Sequence, residues 1–261
     1  MRSPPAKGVH LEVRGLVVFM GMLCPQVLAQ SSPATLAVDP FIVAIHNIKR
    51  SVTPVDCMTM RGAEAQILYR KGSAFFVSRD GKFLTAAHVI EEMLKSEPPC
   101  PTSAIILPVG DWHAETRDEP YAWFPFNPSA CKIDNDSDLA VCRPSQDLSD
   151  TKLTARIAPV NFEWSVPPDG AQVAFTGFPL NARDPLTVRA AVAAFRIPWQ
   201  KEKPIPELAL DRAAWPGSSG SPVYLSDGTV IAILIANGKD YATGVTLARP
   251  SAQIRQFLSE K

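Results

Sequence analysis

The sequence predicts an all-β protein. Short apolar runs bounded by proline, glycine and aspartate recur along the 261 residues, as is typical of β-barrel proteins. The chain has 25 prolines, and helical periodicity is rare in it. The clearest predicted strands are residues 104–109, 172–176 and 229–235. One helix is expected near the C-terminus, because Ile254, Phe257 and Leu258 recur at helical spacing.

A predicted hairpin ends at one of the four histidines. Residues 72–78 and 82–88 have the composition of two strands, and the Asp80-Gly81 dipeptide between them is typical of a tight hairpin turn. A short helical turn is expected over residues 89–94. His88 therefore lies at a strand end, next to small alanines that leave room for a partner, although a purely structural histidine is the alternative.

Residues 215–222 read Trp-Pro-Gly-Ser-Ser-Gly-Ser-Pro and suit a nucleophile on a tight turn. Gly217 and Gly220 flank Ser219, and glycine allows backbone conformations that a Cβ would block. Such a turn can direct the N–H groups of Gly217 and Ser219 to one point, as an oxyanion hole requires. Glycine and serine are also common in ordinary loops. A nucleophilic Ser219 would further require a histidine base and an acid that orients it.

Asp138 is the candidate acid, since it opens an apolar strand where its carboxylate can be buried and still meet an imidazole N–H. An ordinary turn aspartate is one alternative. A calcium loop is another, because Asp134, Asp136 and Asp138 alternate along the chain. Such a loop needs glycine at its sixth position and glutamate at its twelfth. This chain has Leu139 and Ser145 there, so we expect no metal.

His88, Asp138 and Ser219 follow one another in the chain order of chymotrypsin-type triads. The runs around them, Thr-Ala-Ala-His, Asp-Leu-Ala-Val and Gly-Ser-Ser-Gly-Ser-Pro, resemble the landmarks of the trypsin-like serine endopeptidases. The resemblance covers roughly residues 40 to 260 and is greatest to the bacterial HtrA-like and glutamyl-endopeptidase-like branches. We expect no added PDZ domain of the kind that HtrA-like proteins often carry.

The resemblance implies two six-stranded antiparallel β-barrels with the active site in the cleft between them. Residues 40–148 would form the first barrel, with His88 and Asp138. Residues 149–261 would form the second, with Ser219 and the C-terminal helix.

The family pattern also implies a specificity pocket. Its base would be Ala213, six residues before the nucleophile, and its wall would lie near Ile235, Ala236 and Asn237. None of these side chains would pair with a charged substrate group, so we expect a small or aliphatic residue at the cleaved position, P1. Ser218 stands where zymogen-activated members have an aspartate, so activation by a newly cut N-terminus is not expected.

Residues 1–29 predict a secretory signal peptide, because three basic residues precede an apolar run over residues 15–23 and Val27-Leu28-Ala29 offers a cleavage site. The run is shorter than the about 20 residues that span a membrane, and an uncleaved anchor is the alternative. We expect a secreted or periplasmic protein without membrane contact after cleavage. The cleaved chain would keep 23 basic and 25 acidic residues, which does not favour nucleic acid as a partner.

Four cysteines would remain after cleavage, and an exported chain favours disulfides, with three possible connectivities. Cys131 and Cys142 flank the loop that carries Asp138, so a bridge between them would hold the aspartate. Cys57 would then pair with Cys100.

The expected chemistry is acyl transfer from a protein or peptide substrate, without a metal or cofactor. His88 would take the proton of Ser219, and Asp138 would hold the imidazole in the required tautomer. Two alternatives stay open. One is a binding module that keeps the protease fold without turnover, and the other is an esterase with the same mechanism.

Overall fold

The computed structural model describes residues 39–61, 64–108, 121–146, 148, 157–198, 204–235 and 244–260. The expected signal peptide lies outside these residues. The described helices are α1 (Pro40–Lys49), α2 (Ala87–Leu94) and α3 (Ser251–Ser259), with short 3₁₀ turns at Pro128–Ala130 and Pro179–Asn181.

The strands of the first sheet are β1 (Val52–Arg61), β2 (Glu64–Phe76), β3 (Phe83–Thr85), β4 (Thr102–Pro108), β5 (Tyr121–Pro125), β6 (Lys132–Asp134) and β7 (Leu139–Cys142). Those of the second are β8 (Gln172–Gly177), β9 (Leu186–Arg196), β10 (Glu207–Leu210), β11 (Pro222–Tyr224), β12 (Val230–Leu234) and β13 (Thr246–Pro250). The all-β prediction and the C-terminal helix are confirmed.

The first sheet is antiparallel, in the order β5-β4-β1-β2-β3-β7-β6. It has seven strands where six were expected, because β6 is a three-residue strand that pairs with β7. A single bridge between Phe126 and Pro144 joins the β5 side of the sheet to the β7 side, so the sheet curls towards a barrel.

The second sheet is a closed six-stranded antiparallel barrel in the order β10-β13-β12-β11-β8-β9. Strand closure leaves no free sheet edge, which suits a barrel made of short strands. Helix α3 follows β13 directly and packs on it and on β12.

Local chemistry explains the helix that the sequence analysis missed. Asp39 caps α1, because its Oδ1 accepts the N–H of Phe41 at 2.9 Å, and Pro40 occupies the first helical position. Helix α1 buries Phe41, Ala44 and Ile48 at spacings of three and four residues. Ten residues with one buried stripe give a weak helical signal in the sequence.

Three apolar clusters form most of the core. One lies inside the first sheet and another inside the second barrel. The third, which we call the shared core, combines side chains of both. Its buried members are Phe41, Ala44, Ile48, Val52, Phe75, Leu84, Leu139, Ala174, Phe178, Tyr224, Val230, Ile233, Ile254 and Phe257. The two sheets therefore share continuous apolar packing.

The structure forms the disulfides Cys57–Cys100 and Cys131–Cys142, which is the expected connectivity. The first joins β1 to the segment before β4, and the second closes the β6–β7 loop. None of the described helices is both long enough and apolar enough to cross a membrane.

Candidate active site

Strand pairing brings His88 and Asp138 together. Strands β3 and β7 are antiparallel, with Thr85 opposite Ala140, so the residues after Thr85 and those before Ala140 lie at the same end of the sheet. His88 follows β3 in the first turn of α2, one residue inside the helix and not at the strand end itself. Asp138 immediately precedes β7.

Asp138 holds His88 through both its ring and its backbone. The imidazole Nδ1 lies 2.9 Å from Oδ2 and 3.1 Å from Oδ1 of Asp138. The backbone N–H of His88 also donates to Oδ1, at 2.9 Å. A carboxylate against Nδ1 favours the tautomer with its proton there, which leaves Nε2 as an acceptor.

The electrostatic surroundings raise the pKa of His88. Burial of the ring lowers that pKa, but the hydrogen bond and the charge of Asp138, together with nearby carboxylates, outweigh it. The carboxylates of Glu92 and Glu91, in the same helix, act in the same direction as Asp138. Glu92 is partly offset by Lys71, whose Nζ lies 3.5 Å from its Oε2.

The turn that carries Ser219 has a conformation that requires glycine. Gly217 has φ +93°, and a Cβ there would lie 2.6 Å from the carbonyl oxygen of Phe178. The N–H groups of Ser218, Gly220 and Ser221 donate to backbone carbonyls. Within the described residues, those of Gly217 and Ser219 have no acceptor. Two unpaired donors that lie two residues apart in one turn can receive a developing negative charge.

Ser73 of β2 holds this turn from the first barrel. Its N–H donates to the carbonyl of Ser219 at 2.8 Å, and its Oγ donates to the carbonyl of Gly217 at 2.7 Å. The same Oγ accepts the N–H of Phe178 at 2.8 Å. Ser73 is fully buried, so each of these bonds replaces a contact with water that the folded chain cannot make.

The position of Gly72 shows how near the Ser219 turn lies to the His88 helix. A Cβ on Gly72 would be 2.6 Å from the side chain of Val89 and 2.9 Å from the carbonyl oxygen of Ser219. Ser219 therefore lies across Gly72 from the residue that follows His88. No hydrogen bond joins the Ser219 hydroxyl to the imidazole among the described residues. Such bonds often tighten only when substrate is bound.

The loop of residues 178–182 packs against the other side of the turn. The N–H of Leu180 donates to the carbonyl of Pro216 at 2.8 Å, and Leu180 and Asn181 both adopt the left-handed region, with φ of 53° and 59°. Arg70 reaches this loop from β2. It donates to the carbonyl of Ala182 and forms a bidentate ion pair with the fully buried Asp56, at 2.7 and 2.8 Å.

The residues expected to form the specificity pocket are only partly described. Ala213 is half-buried, whereas Ile235 is buried and packs with Ala209 and Leu247. Strand β12 also touches the Ser219 turn, because the N–H of Gly220 donates to the carbonyl of Leu234. Ala236 and Asn237 lie outside the described residues.

Sequence reasoning missed the residues that position the site. Ser73 and Arg70 contact the Ser219 turn or its neighbouring loop, and both lie on β2. Ser73 looked like an ordinary strand serine. Arg249 offers a clearer signal of a buried polar contact, because it is a charged residue within the fully buried strand β13.

The sequence model of the family described as "Trypsin-like peptidase domain" matches residues 72–233, which include His88, Asp138 and Ser219. The chain belongs to this family.

Solved structures agree with the trypsin-like peptidase fold. The Rv3671c protease from M. tuberculosis in its active form has a TM-score of 0.57 and 16% identity, over 87% of this chain and 86% of that one. An inactive form of Rv3671c from M. tuberculosis H37Rv, with a serine-to-alanine substitution, gives 0.58 and 16% over 87% and 92%. A comparison with curated protein sequences finds no match. The trypsin-like peptidase therefore has a protease as a structural neighbour at low sequence identity.

Proposed function

We propose that this trypsin-like peptidase is an exported serine endopeptidase that uses His88, Asp138 and Ser219. The supporting observation is that Asp138 holds His88 by its ring and its backbone N–H. Near that pair, Ser219 lies in a turn in which the N–H groups of Gly217 and Ser219 have no acceptor among the residues that the structure describes. A purely structural histidine would not explain this combination.

In the first half of the reaction, Ser219 Oγ attacks the carbonyl carbon of the peptide bond while Nε2 of His88 takes the hydroxyl proton. The carbonyl oxygen becomes an oxyanion, which the N–H groups of Gly217 and Ser219 receive. The C–N bond then breaks, His88 gives its proton to the leaving amine, and an acyl-enzyme remains. Asp138 stabilises the imidazolium throughout.

In the second half, water attacks the acyl carbon and gives a proton to His88. The ester bond to Ser219 Oγ breaks, the oxygen recovers its proton from His88, and the carboxylic product leaves. Both half-reactions use only these residues and water.

Labelling with a fluorophosphonate tests the proposal without knowledge of the substrate. Ser219 Oγ would attack phosphorus and expel fluoride, a reaction that needs an activated hydroxyl. The variants are Ser219→Ala and His88→Ala. Ser221→Ala is the matched control, because its buried Oγ lies two residues away and has no hydrogen-bond partner among the described residues.

We expect labelling of the wild type and of Ser221→Ala, and none of the other two. A folded, oxidised wild type that stays unlabelled would contradict the endopeptidase proposal. The binding-module alternative would then be preferred. Comparison of matched ester and amide substrates distinguishes an endopeptidase from an esterase.

For specificity, we propose a small or aliphatic P1 residue. Ala213 and Ile235 offer no charge to a substrate side chain. Peptides that differ only in P1 should be cleaved faster with alanine, valine or leucine than with lysine or glutamate. Ala213→Asp should shift the preference towards lysine and arginine if Ala213 is the pocket base, since a carboxylate there pairs with a cation. An unchanged profile would place the pocket elsewhere.

For export, we propose cleavage after Ala29. N-terminal sequencing of the protein recovered outside the cytoplasm should begin at Gln30. A sequence that begins at Met1 in the membrane fraction would instead support the uncleaved anchor.

A further inference from the structure

Arg249 has the largest fully buried side chain among the described residues, with 1% of its surface exposed. It lies in β13 of the second barrel, next to Ala248 and Pro250. A buried cation is costly unless its donors are satisfied, and replacing such a group with an apolar one is often neutral or stabilising. Stability alone therefore gives a weak reason for arginine at this position.

The guanidinium joins the two barrels. Its Nη1 donates to the carbonyls of Ile205 and Pro206, at 3.2 and 2.7 Å, and its Nη2 lies 3.9 Å from Oε1 of Glu207. Glu207 is the first residue of β10, and Ile205 and Pro206 lie just before it in the second barrel. Its Nε donates in the other direction, to the carbonyl of Ser137 at 2.8 Å.

That carbonyl belongs to the peptide that precedes Asp138. Asp138 adopts φ +54°, a left-handed conformation that is uncommon outside glycine and depends on its surroundings. On the other side of the same turn, Oδ1 of Asp134 accepts the N–H groups of Asp136 and Ser137, at 3.1 and 3.3 Å. Asp134 thus holds the turn by its N–H groups, and Arg249 holds it by a carbonyl.

We propose that Arg249 is a positioning residue for Asp138. It fixes the Ser137–Asp138 peptide, and thereby directs the carboxylate at Nδ1 and at the backbone N–H of His88. The proposal rests on the proposed function, in which Asp138 orients the imidazole. Rotation of this peptide would move the carboxylate away from His88, and small displacements of this kind cost about 100-fold in rate.

The charge of Arg249 also acts on the pair. Burial lowers the pKa of Arg249, whereas the carboxylates of Glu207, Asp138 and Asp134 oppose that effect, so the cation and Asp138 interact. The other charged groups that face His88 are Glu91 and Glu92, with Lys71 beside Glu92. Asp138 is the main group that raises the pKa of His88, so displacement of its carboxylate in a variant without Arg249 should lower that pKa and move the acid limb of the reaction to lower pH.

The test compares Arg249→Met and Arg249→Lys with the wild type, and Arg196→Met is the matched control. Arg196 donates to the other carboxylate oxygen of Glu207, at 3.2 and 3.3 Å, and has no contact with Ser137 among the described residues. The measurement is the fluorophosphonate labelling rate as a function of pH, with circular dichroism to confirm folding.

We expect Arg249→Met to label about 10-fold to 100-fold more slowly at the pH plateau, with its acid limb at lower pH. Arg249→Lys keeps the charge but loses the Nε donor to the Ser137 carbonyl, so its plateau should also fall and its acid limb should also move to lower pH. Arg196→Met should keep the wild-type plateau.

A folded Arg249→Met with the wild-type plateau and acid limb would overturn the proposal. If Arg249→Met does not fold, Arg249→Lys provides the test. A folded Arg249→Lys with the wild-type plateau would then overturn the proposal. A wild type that does not label would refute the proposed function instead. The NMR resonance of the His88 Nδ1 proton then gives the answer. Loss of this resonance in the folded Arg249 variants would support the proposal that Arg249 positions Asp138, and its persistence would overturn that proposal.

Discussion

The Oγ of Ser73 donates a 2.7 Å hydrogen bond to the carbonyl of Gly217, and so ties a strand of the first sheet to the Ser219 turn of the second. Its backbone N–H donates to Ser219 as well. Ser218 has no charge with which to hold the turn through an ion pair to a new N-terminus. Within the described residues, neutral hydrogen bonds from Ser73 and Leu180 hold the Ser219 turn instead.

Ser73→Ala should slow fluorophosphonate labelling and lower stability. The carbonyl of Gly217 and the N–H of Phe178 would both lose a buried partner, at a cost of about 1–3 kcal/mol each. The measurements are labelling rate and urea unfolding. Ser78→Ala is the control, because among the described residues that hydroxyl is hydrogen-bonded only to Asp80 in the hairpin turn. A stable Ser73→Ala protein with the wild-type labelling rate would show that the turn is held without this hydroxyl.

Gly217→Ala should abolish most activity while the rest of the protein stays folded. The methyl group would meet the Phe178 carbonyl at 2.6 Å and would disfavour φ +93°, so the turn must move its free N–H groups. Loss of one oxyanion donor lowers kcat by about 10²–10³-fold. Gly170→Ala is a control with positive φ and open space around its Cβ. Equal kcat values in both variants would argue against an oxyanion function for Gly217.

The labelling rate should fall as pH decreases through the pKa of His88, because the imidazolium cannot accept the Ser219 proton. That pKa is raised, so the acid limb lies at higher pH than for an ordinary histidine. Glu91→Gln with Glu92→Gln removes two of the groups that raise it and should move the limb to lower pH. Glu64→Gln, an exposed change in β2, should leave the limb in place. A limb that did not move in the double variant would mean that these carboxylates do not influence the reacting base.

Removing the Cys131–Cys142 disulfide should affect activity more than removing Cys57–Cys100. Each loss should cost about 2–5 kcal/mol of stability. Only the Cys131–Cys142 bridge closes the loop that contains Asp138. The serine double variants can be compared by labelling rate at a temperature where both are folded. Equal loss of labelling in the two would indicate that the loop keeps its conformation without the bridge.

The sequence predicted those structural elements that depend on residues close together in the chain. The Asp80-Gly81 turn, the strands and the C-terminal helix all follow from short patterns, and the order of His88, Asp138 and Ser219 indicated the family. Contacts between distant residues were not predictable in this way. The bond from Ser73 to Gly217 spans 144 positions, and the bond from Arg249 to Ser137 spans 112. No local pattern specifies such a partner.

The shared core has a consequence for how the molecule denatures. Phe75 and Leu84 of the first sheet pack in one cluster with Tyr224 and Ile233 of the second, and residues 38–261 form one compact unit. Exposing either half to water would therefore expose apolar surface of the other. Calorimetry should show one cooperative melting transition, in which enthalpy and activity are lost together. Neither barrel should survive as an autonomous fragment, and the arrangement of His88, Asp138 and Ser219 would exist only while both halves remain folded against each other.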